Sequence, residues 1–219
     1  MKAYIPNLIS ELKEFYKDYL HDLASYSNIP THLDALAQRM HIGIKENQPS
    51  ILSEISNYHK DYLGKIELID PQHFSLNDCR QTIAHEYGFT NWKTLSNKSD
   101  LQYNYKFEKA INHLLEGNLT ALKNLITNNP DLLTARSKYG HQATLLNYAG
   151  SNGVEFWRQQ VPLNLPELVL YLLEAGADKT ATMKVYGGEF NTYELLSTSI
   201  HPLKAGLMDE MKSILAPSH

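Results

Sequence analysis

The chain has 219 residues, with 20 Lys or Arg against 24 Asp or Glu and a formal net charge of −4. That length suits one elongated domain or two small ones with a sizeable core. The slight acidity argues against nucleic-acid binding, which depends on clustered positive charge.

Cys79 is the only cysteine, so an intrachain disulfide cannot form. No apolar run is long enough to span a bilayer. Glu11, Lys13, Glu14, Lys17 and Asp18 interrupt what would be the apolar stretch of a signal peptide. The expectation is a cytoplasmic protein with no membrane partner, export without a signal remaining open.

Residues 5–23 carry Ile5, Leu8, Ile9, Leu12, Phe15, Tyr16, Tyr19 and Leu23 on one side of a helix. Residues 40–58 place Ile44, Ile51, Leu52 and Ile55 around a turn at Asn47-Gln48-Pro49, as a plain helical hairpin or a degenerate repeat. Ser75-Leu76-Asn77-Asp78 is a capping box for a helix that ends at Tyr87 with Gly88 as its stop. Phe89 and Trp92 anchor a short helix, and residues 97–102 mark a boundary.

Beyond it, Phe107, Ala110, Ile111, Leu114 and Leu115 share a helix face, and Glu116-Gly117-Asn118 turns the chain into a second helix. Asn129-Pro130-Asp131 closes that pair, because proline cannot continue a helix. Helices are thus predicted over 8–20, 76–87, 106–116, 119–128, 145–151, 166–175 and 207–214.

The most specific stretch is 165–178, Leu-Pro-Glu-Leu-Val-Leu-Tyr-Leu-Leu-Glu-Ala-Gly-Ala-Asp. Leu165, Leu168, Val169, Leu172 and Leu173 recur at helix-face spacing, and Gly176 supplies a left-handed stop. This stretch resembles the second helix and closing turn of an ankyrin repeat. Leu119, Leu122, Leu125, Ile126 and Met208, Met211, Ile214, Leu215 repeat the pattern, at spacings of 46 and 43 residues. The usual period is about 33, so each spacing needs an insertion. The insertion in the middle copy is 154–163. Thr144-Leu-Leu-Asn-Tyr-Ala149 sits where such repeats carry T-P-L-H-x-A, with Leu for Pro and Asn147 for His.

Two further stretches are similar to a family of bacterial ankyrin-repeat proteins. One runs from Phe74 to Leu95 and contains Ala84-His-Glu-Tyr-Gly-Phe-Thr-Asn-Trp92; the other runs from Ser137 to Gly206. The resemblance implies an all-α ankyrin solenoid of about three repeats over 101–219, capped by an N-terminal helical region over 1–100. The 40–60 segment would be a degenerate repeat at most. The family contributes architecture and no assigned chemistry.

Catalytic and metal motifs fail on inspection. His85-Glu86 begins H-E-x-x-H, but the fifth position is Phe89 and Gly88 ends the helix between them. Both residues are therefore read as surface groups. Nothing near Cys79 in sequence would activate its thiol. No phosphate-binding glycine loop is present, Gly187-Gly188 being a turn signal. Tyr16, Tyr19, Tyr58 and Tyr62 read as core or core-edge groups with their hydroxyls in water. No cofactor, metal or catalytic residue is assigned.

Polar and aromatic residues gather in the long loops instead: Tyr139, His141, Tyr148, Asn152, Glu155, Trp157, Arg158, Tyr186 and His201. Because binding residues tend to sit on loops held by a rigid scaffold, these nine are the candidate binding face for a protein partner. Two alternatives remain. The same residues brace oversized loops through hydrogen bonds, or the loops around 139–164 and 186–201 build a small-molecule or enzymatic pocket with His141, His201 and Glu155 as acid–base groups.

Overall fold

The computed structural model describes residues 2–217 and is mostly helical, with twelve α-helices and four short strands among those residues. The chain divides into two units, one made of Asn7–Tyr103 and the other of the residues up to Pro6 together with those from Asn104 onward. The expected division grouped residues 1–6 with the N-terminal helices; they belong to the later unit.

The Asn7–Tyr103 unit contains helices α1 (Asn7–Tyr16), α2 (Ile29–Lys45), α3 (Pro49–Tyr58), α4 (Leu76–Glu86) and α5 (Trp92–Ser96). Helix α1 ends where Lys17 takes a positive φ of 44°, and a 3-10 turn completes the predicted 8–20 segment. Helix α2 is much longer than the sequence suggested. Asn28 caps it by accepting the Thr31 amide at 2.8 Å, and Pro30 lies in the first turn, where its missing N–H would have no helical partner anyway. Ser75 and Asp78 form the predicted capping box of α4. The core includes Ile9, Leu12, Leu33, Met40, Ile44, Ile51, Ile55, Ile83 and Leu95.

The other unit holds α6 (Tyr105–Leu115), α7 (Leu119–Asn128), α8 (Leu145–Tyr148), α9 (Leu165–Glu174), α10 (Thr192–Thr198), α11 (Ile200–Lys204) and α12 (Met208–Leu215). Phe107, Ile111, Leu114, Leu146, Leu168, Leu172, Leu196 and Met211 belong to one continuous core. Helix α9 closes as its sequence predicts. Gly176 sits at φ +104°, the Ala177 amide reaches Leu172 O at 2.8 Å, and the Gly176 amide reaches Leu173 O at 3.0 Å. That pair of bonds is a Schellman closure.

Helix α8 is only one turn, shorter than predicted over 145–151, because Ser151 adopts φ +51° and ends it. Two small antiparallel pairings complete the unit. Strand β1 (Ala3–Tyr4) pairs with β2 (Val161–Pro162) inside the expected insertion. Strands β3 (Thr182–Val185) and β4 (Gly188–Asn191) form a hairpin whose two-residue loop is Tyr186-Gly187. Both loop residues have positive φ, 54° and 77°, which is the tight turn that matches strand twist.

Candidate functional site

The nine residues singled out from the sequence separate into three groups. Six form an enclosed cluster inside the unit that starts at Asn104. Tyr139 and His141 come from the turn before α8, which is tied off by the Ser137 amide on Ala143 O at 2.8 Å. Tyr148 ends α8, while Glu155, Trp157 and Arg158 come from the insertion and its 3-10 turn. All six are buried; His141 and Glu155 are 0% exposed.

Glu155 Oε1 is the hub. It receives His141 Nε2 at 3.3 Å, the Tyr148 hydroxyl at 3.2 Å and Arg158 Nη1 at 3.4 Å. The other imidazole nitrogen, Nδ1, accepts the Ala143 amide at 3.1 Å. The hydrogen-bond network therefore assigns a neutral ring with its proton on Nε2. Arg158 turns its other terminal nitrogen, Nη2, to Glu108 Oε2 at 2.7 Å, so one guanidinium bridges two buried carboxylates. Its planar head also lies 4.5 Å from the centre of the Trp157 ring and 5.6 Å from that of Tyr148.

Electrostatics follow from this arrangement. Burial works to raise Glu155, but Arg158 and the His141 hydrogen bond outweigh it and hold the carboxyl below its ordinary range. Burial raises Glu108, and Arg158 offsets this only in part, with the Glu155 charge adding to the rise. Glu155 Oε2 and Arg158 Nε are buried with no hydrogen-bond partner among the described residues.

The insertion is pinned by its own polar side chains. Gln159 donates to Val154 O at 2.9 Å, Gln160 to Leu115 O at 2.8 Å and Asn164 to Gly117 O at 3.0 Å. These bonds and the β1–β2 pairing explain why a loop with so many polar groups can sit in the interior.

Asn152 and Tyr186 form the second group. The Tyr186 hydroxyl donates to Asn152 Oδ1 at 2.6 Å, and Asn152 Nδ2 donates to Thr198 Oγ1 at 2.9 Å. Tyr186 is 67% exposed at the tip of the hairpin. His201 stands apart from both groups, its ring 6.4 Å from that of Tyr4, with burial holding its pKa down.

The nine residues omit two participants, Asn147 being noted only where the repeat motif carries His. Glu108 is one, although its signal was present: it lies three residues before Ile111 and seven before Leu115, on the apolar face of α6. Asn147 is the other. Its Oδ1 accepts the Thr144 amide at 2.9 Å and the Thr144 hydroxyl at 3.0 Å, while its Nδ2 donates to Ala181 O at 3.0 Å and Thr192 Oγ1 at 3.2 Å. One amide thus caps α8 and ties it to the segments flanking the hairpin.

Two readings need correction, the surface placement of His85-Glu86 and the water-exposed hydroxyl of Tyr16, whereas the inert reading of Cys79 stands. Glu86 is buried, not a surface group, and His85 is half-buried with its ring nitrogens against Tyr58 O and Thr90 O. The Tyr16 hydroxyl is not in water; it donates to Glu54 Oε2 at 2.9 Å inside the helical core. Cys79 is buried, and burial pushes its thiol up to about 12, which leaves it unreactive at neutral pH.

Among the described residues no group of three or more His, Cys, Asp or Glu is placed to hold a metal ion. No described helix is long and apolar enough to cross a membrane. Comparison with protein-family models, curated proteins and solved structures finds no match to this chain.

Proposed function

We propose that the unit from Asn104 onward is an ankyrin-type repeat stack that works as a protein-binding module and presents Tyr186 to its partner. The repeat reading is supported by the Schellman closure after Leu-Leu-Glu-Ala-Gly-Ala-Asp, by the hairpin between α9 and α10, and by Asn147 linking α8 to the next segment. Stacked repeats of this kind bury their helices against one another and offer their loops to other molecules.

The observation that carries the function is the state of Tyr186. A bulky non-glycine residue at φ +54° is a local strain that the surroundings must hold in place. Here a side chain that is 67% exposed is held there by the hydroxyl bond to Asn152. An aromatic side chain fixed in water on a rigid hairpin is the kind of group that anchors interfaces. Trp157 and Arg158 have the right chemistry for hot spots, but they are buried in the same unit and brace the insertion instead. A catalytic reading would need substrate to reach a His141 that is 0% exposed.

The test is capture by the immobilised full chain from a lysate of its source organism, with a photo-crosslinking residue at position 186. The reading expects one protein to be retained and crosslinked there, and Tyr186→Ser to weaken it about tenfold or more at unchanged melting temperature. Capture unaffected by Tyr186→Ser would refute it. So would a small molecule that stabilises the chain while no protein crosslinks.

A further inference from the structure

The core of the Asn7–Tyr103 unit contains a group that the proposed binding function does not use. Glu54 projects from α3 and Glu86 from the last turn of α4, 1% and 2% exposed. Their carboxyl groups are hydrogen-bonded to each other, and the Tyr16 hydroxyl, from the end of α1, donates to Glu54 Oε2 at 2.9 Å. Three helices therefore meet at two acids and a phenol.

Two carboxylates have no hydrogen to put between them, so a carboxyl–carboxyl bond requires a proton on one of the two. A cation could have served instead, as Arg158 does beside Glu108, but the nearby basic side chains are engaged elsewhere. On α2, Arg39 lies 4.0 Å over the Phe15 ring and Lys45 donates to Gln72 O at 3.1 Å. Arg80 on α4 is paired with Asp34 of α2 at 2.7 Å. Lys60, Asp61 and Glu67 on the 3-10 turns and Lys93 on α5 are exposed. Among the groups whose charge couples to the pair are the Tyr16 hydroxyl from α1 and the Cys79 thiol within α4, both raised by burial and so neutral at ordinary pH.

We propose that Glu54 and Glu86 share one proton and act as a pH-sensitive latch joining α1, α3 and α4, closed while the proton is held and loosened when it leaves. Loss of the proton puts two like charges in a dry site and removes the bond between α3 and α4. Lys17, at φ +44°, ends α1 one residue after Tyr16, so the hydroxyl bond to Glu54 ties down the last residue of that helix. Burial, then the Glu86 charge and hydrogen bond, raise the Glu54 carboxyl well above its ordinary value. A raised folded-state value means the stabilisation is complete below the unfolded carboxyl pKa of about 4.3 and is lost as pH rises through the folded value. The latch therefore loosens on the alkaline side.

Two measurements on the full chain test this. In a carboxyl 13C titration of glutamate-labelled protein, the pair is expected to lose its protons in two separated steps, the upper one well above the ordinary glutamate range. Thermal midpoints of this unit, followed by residue-level hydrogen exchange, are expected to fall as pH is raised. Glu86→Gln should shrink that fall, since an amide donates to a carboxylate without a shared proton. The double variant Glu54→Gln, Glu86→Gln should flatten it. Two ordinary, independent carboxyl titrations would overturn the proposal even if neither variant folds. A double variant that keeps the wild-type pH slope would overturn it equally.

Discussion

The two units each bury a pair of glutamates and neutralise them by opposite means. Glu108 and Glu155 are bridged by Arg158, with two further donors on Glu155 from His141 and Tyr148. Glu54 meets Glu86 and a phenol, and among the described residues neither acid is in a salt bridge like that of Arg158. A buried carboxylate costs several kcal/mol unless something offsets its lost hydration, and these are the two available remedies, a fixed counter-charge or a proton. The choice decides what the site responds to. A guanidinium keeps its charge at every pH that a protein survives, so the first site is a permanent brace. A proton comes and goes, so the second site is conditional.

The largest effect should come from removing the counter-charge. Arg158→Met keeps much of the side-chain volume over Trp157 and Tyr148 but strands two carboxylates in the interior. A loss of about 3–5 kcal/mol is expected in urea unfolding followed by probes in this unit. The loss should shrink in acid, where Glu108 and Glu155 take up protons. A loss under 1 kcal/mol that does not vary with pH would mean the bridge stabilises nothing.

Glu155→Gln should have the next largest effect, about 1–3 kcal/mol at neutral pH, because a charged acceptor is replaced by a neutral one. Glu155 is held below its ordinary range, so its stabilisation is present above the unfolded value of about 4.3 and disappears as pH falls through the folded value. Glu108 is raised and has the opposite sign. The variant should therefore abolish the acid-side loosening of its unit while sparing any alkaline-side change. An acid limb that survives the substitution would move the responsibility to another group.

The sequence made these two sites unequally legible, and the reason is the same one that made parts of the fold legible. Helices α4, α6, α7 and α9 could be read because period, cap and stop agree: Ser75 and Gly88, Asn104 and Gly117, Asn118 and Pro130, Gly176. The first half of α2 was lost because its opening depends on Asn28 and Pro30 acting as a start signal, not a break. The hairpin was lost because Tyr186 occupies a conformation usually left to Gly or Asn.

The loop residues of the cluster were found by residue type and misplaced by depth, since polar loops normally run over the surface. Here the Gln159 and Gln160 side chains satisfy backbone carbonyls and permit burial. Glu54, Glu86 and Glu108 all lie at helix-face spacing with apolar neighbours: Ile51, Ile83 and Ile111. An acid on an apolar stripe was the readable sign of a buried charge, and it pointed to both sites.

The smallest effects belong to a matched pair, Tyr148→Phe and Tyr16→Phe, which each delete one hydroxyl that donates to a buried glutamate. In the braced site, Glu155 is charged but keeps Arg158 and His141, so losing Tyr148 as a donor should cost about 1.5 kcal/mol, the low end for a charged acceptor. That cost should stay nearly constant across neutral and alkaline pH, because Glu155 is ionised throughout. In the latch, the partners of Glu54 among the described residues are Glu86 and Tyr16. While the proton is shared, the lost bond is one between neutral groups and should cost about 1 kcal/mol. Once the proton leaves, the same hydroxyl would be serving a charged acceptor, and its loss should grow towards the range of about 1.5–3 kcal/mol. Residue-level hydrogen exchange across pH separates the units and reads both variants in one experiment. Costs that rise together with pH would erase the distinction between brace and latch; a rise confined to Tyr16→Phe would place the titrating proton at Glu54.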